Sequence, residues 1–503
     1  MSAKGEHAAE VQPLELYPLP DTWRWGTVSD AGADQKNAIV DGPFGSNLKL
    51  SDYVADGTVP VLTTKNLAGT YDDFRYISQK KFEELKRSAV YTGDILMAKI
   101  GSCGKTGIYS SKISPAMIPA NLLKVSVSEK FERKYVFYYF NSPFFQKALK
   151  TIIKATAQPA FGVTNFRALP LPLAPLPLQR EIVAEIEKQF SRLDEAVAGL
   201  KRIKANLKRY KAAVLKAAVE GKLTEEWRSR GGEAVPRPVS SDETLNRATH
   251  WIAPTNNIKY ETGAELLKRI LVERKKKWEE KNPGKKYNEP VAPDTSNLSQ
   301  LPKGWVWATV EQLASLVTDG DHNPPKRIED GVPHLTAKSV VSGRLIESGC
   351  TYISEGDFEK VRRRYEPLRD DVIITCVGTI GRTAIIPPGY LFSADRNLAA
   401  VRLVNDGMAP RILQINFDAP LSQKKIRGAS GSTAQPHFYL ADLRSFAVPL
   451  MSRIEQGTII AEVDRLLSVA EEIETTVDAH LKRAERLRQG ILKKAFSGDL
   501  LLD

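Results

Sequence analysis

At 503 residues the chain is too long for one ordinary domain, and its length implies three or four folding units. Hydrophobic residues make up 42% and charged residues 26%, which excludes a disordered polyelectrolyte and leaves enough apolar material for real cores. Lysine and arginine number 72 against 60 acidic residues, a net charge of +12, so polyanionic partners are expected, nucleic acid before anionic membrane surfaces.

In chain order, Met1 to Val11 is polar without an apolar h-region, so no secretory signal is expected. No run approaches the roughly eighteen apolar residues of a spanning helix. Residues 1–18 read as a tail. From Leu19 to Ala174, short β-branched runs alternate with turn signals. Asp94 to Ala98 reads as a strand followed by the glycine-bearing turn Gly101 to Lys105, and Lys134 to Lys150, with Tyr135, Phe137, Tyr138 and Phe140, reads as a helix. The run Pro170 to Pro177 stops what precedes it. Apolar residues then recur at Ile186, Phe190, Leu193, Val197, Leu200, Ile203, Leu207, Tyr210 and Val214, in steps of three or four, which is the coiled-coil period. Unbroken from Gln179 to Val219, such a helix is about 60 Å long at ~1.5 Å per residue, and Gly221 stands where a helix-ending glycine belongs. Residues 224–300 are polar and proline-containing, a linker, except that Thr262-Gly263-Ala264-Glu265 is a capping box opening a basic helix from Leu266 to Lys281.

After the linker the chain repeats itself. Leu19-Pro20-Asp21-Thr22-Trp23-Arg24-Trp25 returns as Leu301-Pro302-Lys303-Gly304-Trp305-Val306-Trp307. From Asp94 onward the offset settles at 277. Gly101, Gly104 and Thr106 meet Gly378, Gly381 and Thr383, Gln158-Pro159 meets Gln435-Pro436, and Leu215-Lys216 meets Leu492-Lys493. The second apolar stripe runs from Ile459 to Ile491, and Gly498 matches Gly221. The fold expected is a duplicated α/β (α+β) chain: residues 19–174 and 301–450 are two mixed α/β domains, and 175–223 and 451–503 are two long helices that pair as an antiparallel coiled coil with pseudo-two-fold symmetry.

No catalytic constellation is visible. Asn323-Pro324-Pro325 is similar to the motif with which amino-methyltransferases grip a target amine, but the next residue is Lys326 where a stacking aromatic is needed. Gly104-Lys105-Thr106 resembles the tail of a phosphate-binding loop, yet Lys99 stands where that loop requires glycine. The histidines at 7, 250, 322, 334, 437 and 480 make no metal spacing. Cys103, Cys350 and Cys376 are too scattered for a metal site and fit a reducing, cytoplasmic compartment. No cofactor and no metal are expected.

The tryptophan-bearing openings, the Gly93-Asp94-Ile95-Leu96 strand with its glycine turn, and the run Pro175-Leu176-Pro177-Leu178-Gln179-Arg180-Glu181-Ile182-Val183-Ala184-Glu185-Ile186 resemble the specificity subunits of type I restriction-modification systems, in order and twice over. The resemblance implies two target recognition domains, each reading half of a split sequence in double-stranded DNA. It also implies that two modification subunits supply adenine methylation and that motor-nuclease restriction subunits complete the assembly; the lack of a long apolar run leaves no membrane partner expected. The chain departs from the pattern at Ser452-Arg453-Ile454-Glu455-Gln456, where the first copy is proline-rich, and at Asp370, which replaces a glycine. Polar loop residues are the expected DNA contacts: Lys65, Asn66, Lys99, Lys105 and Thr106 in the first copy, Lys338, Arg382, Thr383 and Arg396 in the second. Arginine and lysine pair with guanine and asparagine with adenine in the major groove. Lys65/Lys338 and Lys105/Arg382 persist in both copies, which suits phosphate positioning. Two alternatives are a self-contained methyltransferase or nuclease, which needs a donor loop or metal carboxylates, and a coiled-coil scaffold, which leaves two divergent basic domains without a purpose.

Overall fold

The computed structural model describes residues 15–43, 45–71, 74–154, 158–231, 261–323, 325–428 and 437–501. The polar start of the chain, the middle of the linker, Pro324 and the pair Gln435-Pro436 lie outside the described residues. Two compact units emerge, Met1–Arg202 with Val477–Asp503, and Ile203–Thr476. Each unit takes the α/β portion of one repeat and part of both long helices, so the units cut across the repeats.

In the first unit an antiparallel four-stranded sheet runs in the order Ile39–Asp41, Leu122–Val125, Ile95–Ala98, Thr106–Ile108. The predicted strand is its Ile95–Ala98 member, buried at every position. A second sheet of five strands, each only two or three residues long, holds Val59–Val61 and Arg75–Ile77. The tryptophan opening becomes a strand, Arg24–Thr27, antiparallel to Pro170–Leu173. The proline run therefore does more than stop its predecessor. A two-stranded ladder leaves alternate N–H groups pointing away from the partner, where Pro170 and Pro172 lose nothing. The helix expected from Lys134 to Lys150 is two helices, Arg133–Phe140 and Pro143–Ile152. Pro143 cannot continue the first, and Ser142 caps the second by accepting from the Phe145 amide at 3.3 Å.

The second unit repeats this plan. Its sheet runs Ala314–Asp319, Leu398–Leu403, Val372–Thr375, Thr383–Ile385. Val306–Thr309 pairs with Ala447–Leu450, and helices Pro410–Asp418 and Pro420–Gly428 stand where the first unit has its pair. The linker helix is present as Gly263–Lys281. Thr262 accepts from the Glu265 amide at 3.3 Å while the Glu265 carboxylate accepts from the Thr262 amide at 2.8 Å, and Leu266 and Ile270 enter the unit's core. Its basic run is largely occupied within the fold: Arg274 donates to the Ala314 carbonyl at 3.0 Å, and Lys275 lies 3.6 Å from the Glu289 carboxylate.

The long helices span Leu176–Val219 and Arg453–Ser497, 44 and 45 residues. In the first unit Phe496 of the second helix packs edge-on against Tyr135 and Tyr139, centroids 5.1 Å apart in both cases, and Arg488 lies 4.2 Å over the Phe190 ring of the first helix while pairing with Asp194. In the second unit Val214 and Ala218 of the first helix share a core with Ile459, Ile460 and Val463 of the second. There Lys211 pairs with Glu474 at 2.6 Å and Thr224, just beyond the first helix, bonds Glu455 at 2.7 Å, so numbers rising along one helix fall along the other and the pairing is antiparallel. The apolar stripe is unevenly buried: Ile186 is fully buried, whereas Ile203 and Tyr210 stay 44% and 43% exposed. A helix with a single helical neighbour covers only part of its stripe, and the full cover at Ile186 comes from the domain core it joins. Gly221 and Gly498 end the helices in the left-handed region, at φ 72° and 89°, as expected of C-terminal glycines. Among the described residues no helix is long and apolar enough to cross a membrane.

Candidate nucleic-acid interface

In each unit a hairpin of the four-stranded sheet ends in the predicted glycine turn. Gly101 and Gly104 take φ of 79° and 88°, Gly378 and Gly381 of 73° and 81°, conformations that side chains resist. The turns present Lys105 and Arg382, both exposed.

A second turn lies alongside. Thr64–Ala68 in the first unit and Ala337–Ser339 in the second are 3₁₀ turns carrying the exposed Lys65 and Lys338. Gly107, in the strand after Lys105, is packed so closely on Leu67 that a β-carbon there would lie 2.4 Å from the Leu67 carbonyl oxygen. In the second unit Arg382 itself donates to the Val340 carbonyl at 3.3 Å, two residues beyond Lys338. Arg396, exposed, extends the group: the neighbouring Asp395 amide donates to the Leu335 carbonyl at 3.0 Å, just ahead of the Lys338 turn. The structure therefore gathers Lys65 with Lys105, and Lys338 with Arg382 and Arg396.

Three of the four remaining predicted contacts have internal partners, which corrects the expectation that they are open loop groups. Asn66 is buried; its Oδ1 accepts from the Thr63 amide at 2.7 Å and its Nδ2 donates to the Thr70 carbonyl at 2.8 Å, closing the turn that carries Lys65. Lys99, 13% exposed at its side chain, is ion-paired with Asp41. Thr383 is buried in its strand and donates to the Asp418 carboxylate at 2.8 Å. Thr106 starts a strand, with its hydroxyl oxygen buried.

Around these turns the repeats share a polar framework that sequence reasoning missed. Arg87 pairs with Asp41 at 3.0 Å, and Arg364 pairs with Asp319. The third partner differs, Lys99 in the first unit and His322, 2.8 Å from Asp319, in the second. Burial alone would raise the Asp319 carboxyl, but hydrogen bonds from Arg364 and His322 outweigh it and hold the group below the usual carboxylate range. Gln179 accepts from the Glu132 amide at 2.8 Å and Gln456 from the Ala409 amide at 2.7 Å, tying each long helix to its domain. Gln146 and Gln423 reach the glycine turns themselves. The signal was available: Arg87/Arg364, Gln146/Gln423 and Gln179/Gln456 all fall at the repeat offset of 277. The departure around Glu455 also has a cause. Glu455, 1% exposed, accepts from the Trp305 indole at 2.9 Å, from Thr224 at 2.7 Å and from Arg228, where the first repeat has Leu178.

Burial pushes the Cys376 thiol up to about 12, which favours the protonated thiol over the thiolate, and among the described residues no group of His, Cys, Asp and Glu is arranged to hold a metal. What the turns can do is offer exposed cations on rigid supports to a polyanion.

Residues 45–209 match the Type I restriction modification DNA specificity domain. The chain is 24% identical to the type I restriction enzyme EcoBI specificity subunit of Escherichia coli over 412 residues, 82% of this chain and 74% of the relative. It is 23% identical to the EcoKI specificity subunit of Escherichia coli strain K12 over 344 residues, 67% of this chain and 59% of that relative. Its fold matches that of a chain from a structure of type I R-M complex assembly and conformational transition, with a TM-score of 0.60 at 17% identity over 96% of this chain and 100% of that one. A DNA specificity domain in the first repeat, specificity subunits as relatives and a shared fold together bear out the resemblance drawn from the sequence, to the type I restriction-modification specificity subunits.

Proposed function

We propose that this chain is the DNA-reading subunit of a type I restriction-modification complex, with residues 19–174 and 301–450 as its two readers and no catalytic site of its own. One observation carries the reading: two units build the same pair of cation-bearing turns on the same polar framework, yet differ in the side chains around them. A shared framework positions both readers alike on the backbone of a duplex, and divergent neighbours give each a different half-site. Lys65, Lys105, Lys338 and Arg382 contact phosphates, a sequence-independent role that suits their presence in both units. Arg396, which has no cationic counterpart in the first unit, is the candidate for a guanine edge. Methyl-donor binding and adenine methylation belong to modification subunits that assemble on this chain, and cleavage to motor-nuclease restriction subunits.

The test pairs two assays on the purified chain. It binds duplex DNA with an affinity that falls steeply with salt, log K dropping by about 0.9 per log unit of salt for each phosphate neutralised, and it transfers no methyl group until modification subunits are added. Methylation by the isolated chain, or binding indifferent to salt, contradicts the proposal.

A further inference from the structure

We propose that Gln146 and Gln423 are positioning residues for DNA contact: each ties the glycine turn of its unit to the helix behind it and so holds the cation at the turn in place. The inference rests on the phosphate-contact reading of Lys105 and Arg382. Gln146 Nε2 donates to the Gly104 carbonyl at 3.1 Å and to the Phe140 carbonyl at 2.6 Å. Gln423 Nε2 donates to the Gly381 carbonyl at 2.7 Å and to the Phe417 carbonyl at 2.8 Å. All four acceptors are carbonyl oxygens, so only the NH₂ end of the amide can face them, and both of its hydrogens are used.

The glycine and the glutamine fit as a pair. A β-carbon on Gly104 would stand 2.7 Å from Gln146 Oε1, and one on Gly381 would stand 3.1 Å from Gln423 Oε1. The residue that permits the positive φ also admits the amide. Within the turn, Gly104 N donates to the Ala98 carbonyl at 3.0 Å and Gly381 N to the Thr375 carbonyl at 2.9 Å. These bonds shape the hairpin but join it only to itself. The glutamine bonds join it to the end of helix Arg133–Phe140 in one unit and Pro410–Asp418 in the other. Lys105 and Arg382 each follow the clamped glycine directly, so a turn released from the helix carries its cation with it. A phosphate contact depends on that placement, because a mobile cation must be ordered again on binding.

The experiment measures binding of the full chain to a generic DNA duplex by fluorescence anisotropy across a potassium chloride series, beside thermal melting. Lys105→Ala lowers the salt slope by about 0.9, the loss of one phosphate. Gln146→Met keeps the bulk and removes the donors, and is expected to lower the slope in the same direction. Combined with Lys105→Ala it lowers the slope no further, because both act through one contact. Gln423→Met and Arg382→Ala repeat the cycle in the second unit. Gln146→Asn, a methylene short of the turn, serves if the methionine variant melts too early, with the same expected slope. A reduced melting temperature with an unchanged slope, or losses that add in the double variant, overturns the inference while leaving the phosphate reading intact. An unchanged slope in Lys105→Ala and Arg382→Ala removes that reading, and the inference with it.

Discussion

Asp418 shows how a repeat annotates itself at the scale of one residue. Burial, partly offset by the Thr383 hydroxyl and by Arg411, pushes its carboxyl from 3.8 up to about 6. Between about pH 4 and 6 the folded chain therefore binds a proton that the unfolded chain does not, and stability falls as pH rises through that window and stays low above it. The first repeat has Asn141 at the matching position. Asp418→Asn, which keeps an acceptor for Thr383, is expected to stabilise the second unit at pH 7 by up to about 3 kcal/mol and to flatten the melting temperature between pH 4 and 6. An unchanged pH profile would show that Asp418 is ionised without penalty. Glu455 is a buried acidic side chain that meets three donors. Its replacement by alanine strands Arg228 and the Trp305 indole, and is expected to cost about 3–5 kcal/mol in urea denaturation. A cost below 1 kcal/mol would mean water replaces the carboxylate. Neither residue was legible as such, because burial and partners belong to the packed molecule. Only the departure around Glu455 was read from the sequence.

At the scale of elements, long apolar periods were legible and short ones were not. Both long helices, the capped linker helix and the Ile95–Ala98 strand stood out because a long apolar period, a capping box or an unbroken apolar run marks each of them. Strands such as Tyr53–Val54 and Ala89–Val90 are too short to show a period at all. The break at Pro143 was overrun by a strong aromatic pattern on both sides. The long helices also carry a prediction. If they set the gap between the two readers, four residues inserted after Ala205 add about 6 Å of helix and overshoot a full turn by roughly 40°, so the apolar seam stays nearly in phase. The tolerated spacer between half-sites then grows by one or two base pairs at about 3.4 Å each. Two inserted residues rotate the seam by roughly 200° and damage folding. An unchanged optimal spacer in a folded four-residue variant would exclude the helices as the ruler.

At the scale of the whole molecule, duplication was legible from the sequence, but the way the units divide the chain was not. Each unit closes its core with helix ends drawn from both repeats, Leu492 and Phe496 in the first, Val214 and Ala218 in the second, a partnership that only long-range packing decides. The candidate site was half legible. Lys65, Lys105, Lys338 and Arg382 were marked by persistence across repeats, whereas Asn66, Lys99 and Thr383 look the same on paper and are tied up inside. The central claim is that two independent readers share one chain. The most direct test replaces residues 19–174 with the corresponding segment of a relative and maps methylated adenines across the genome of cells carrying the chimera with its modification subunits. One half of the methylated bipartite sequence should change while the other half stays as it was. A change in both halves, or in neither, would contradict the account.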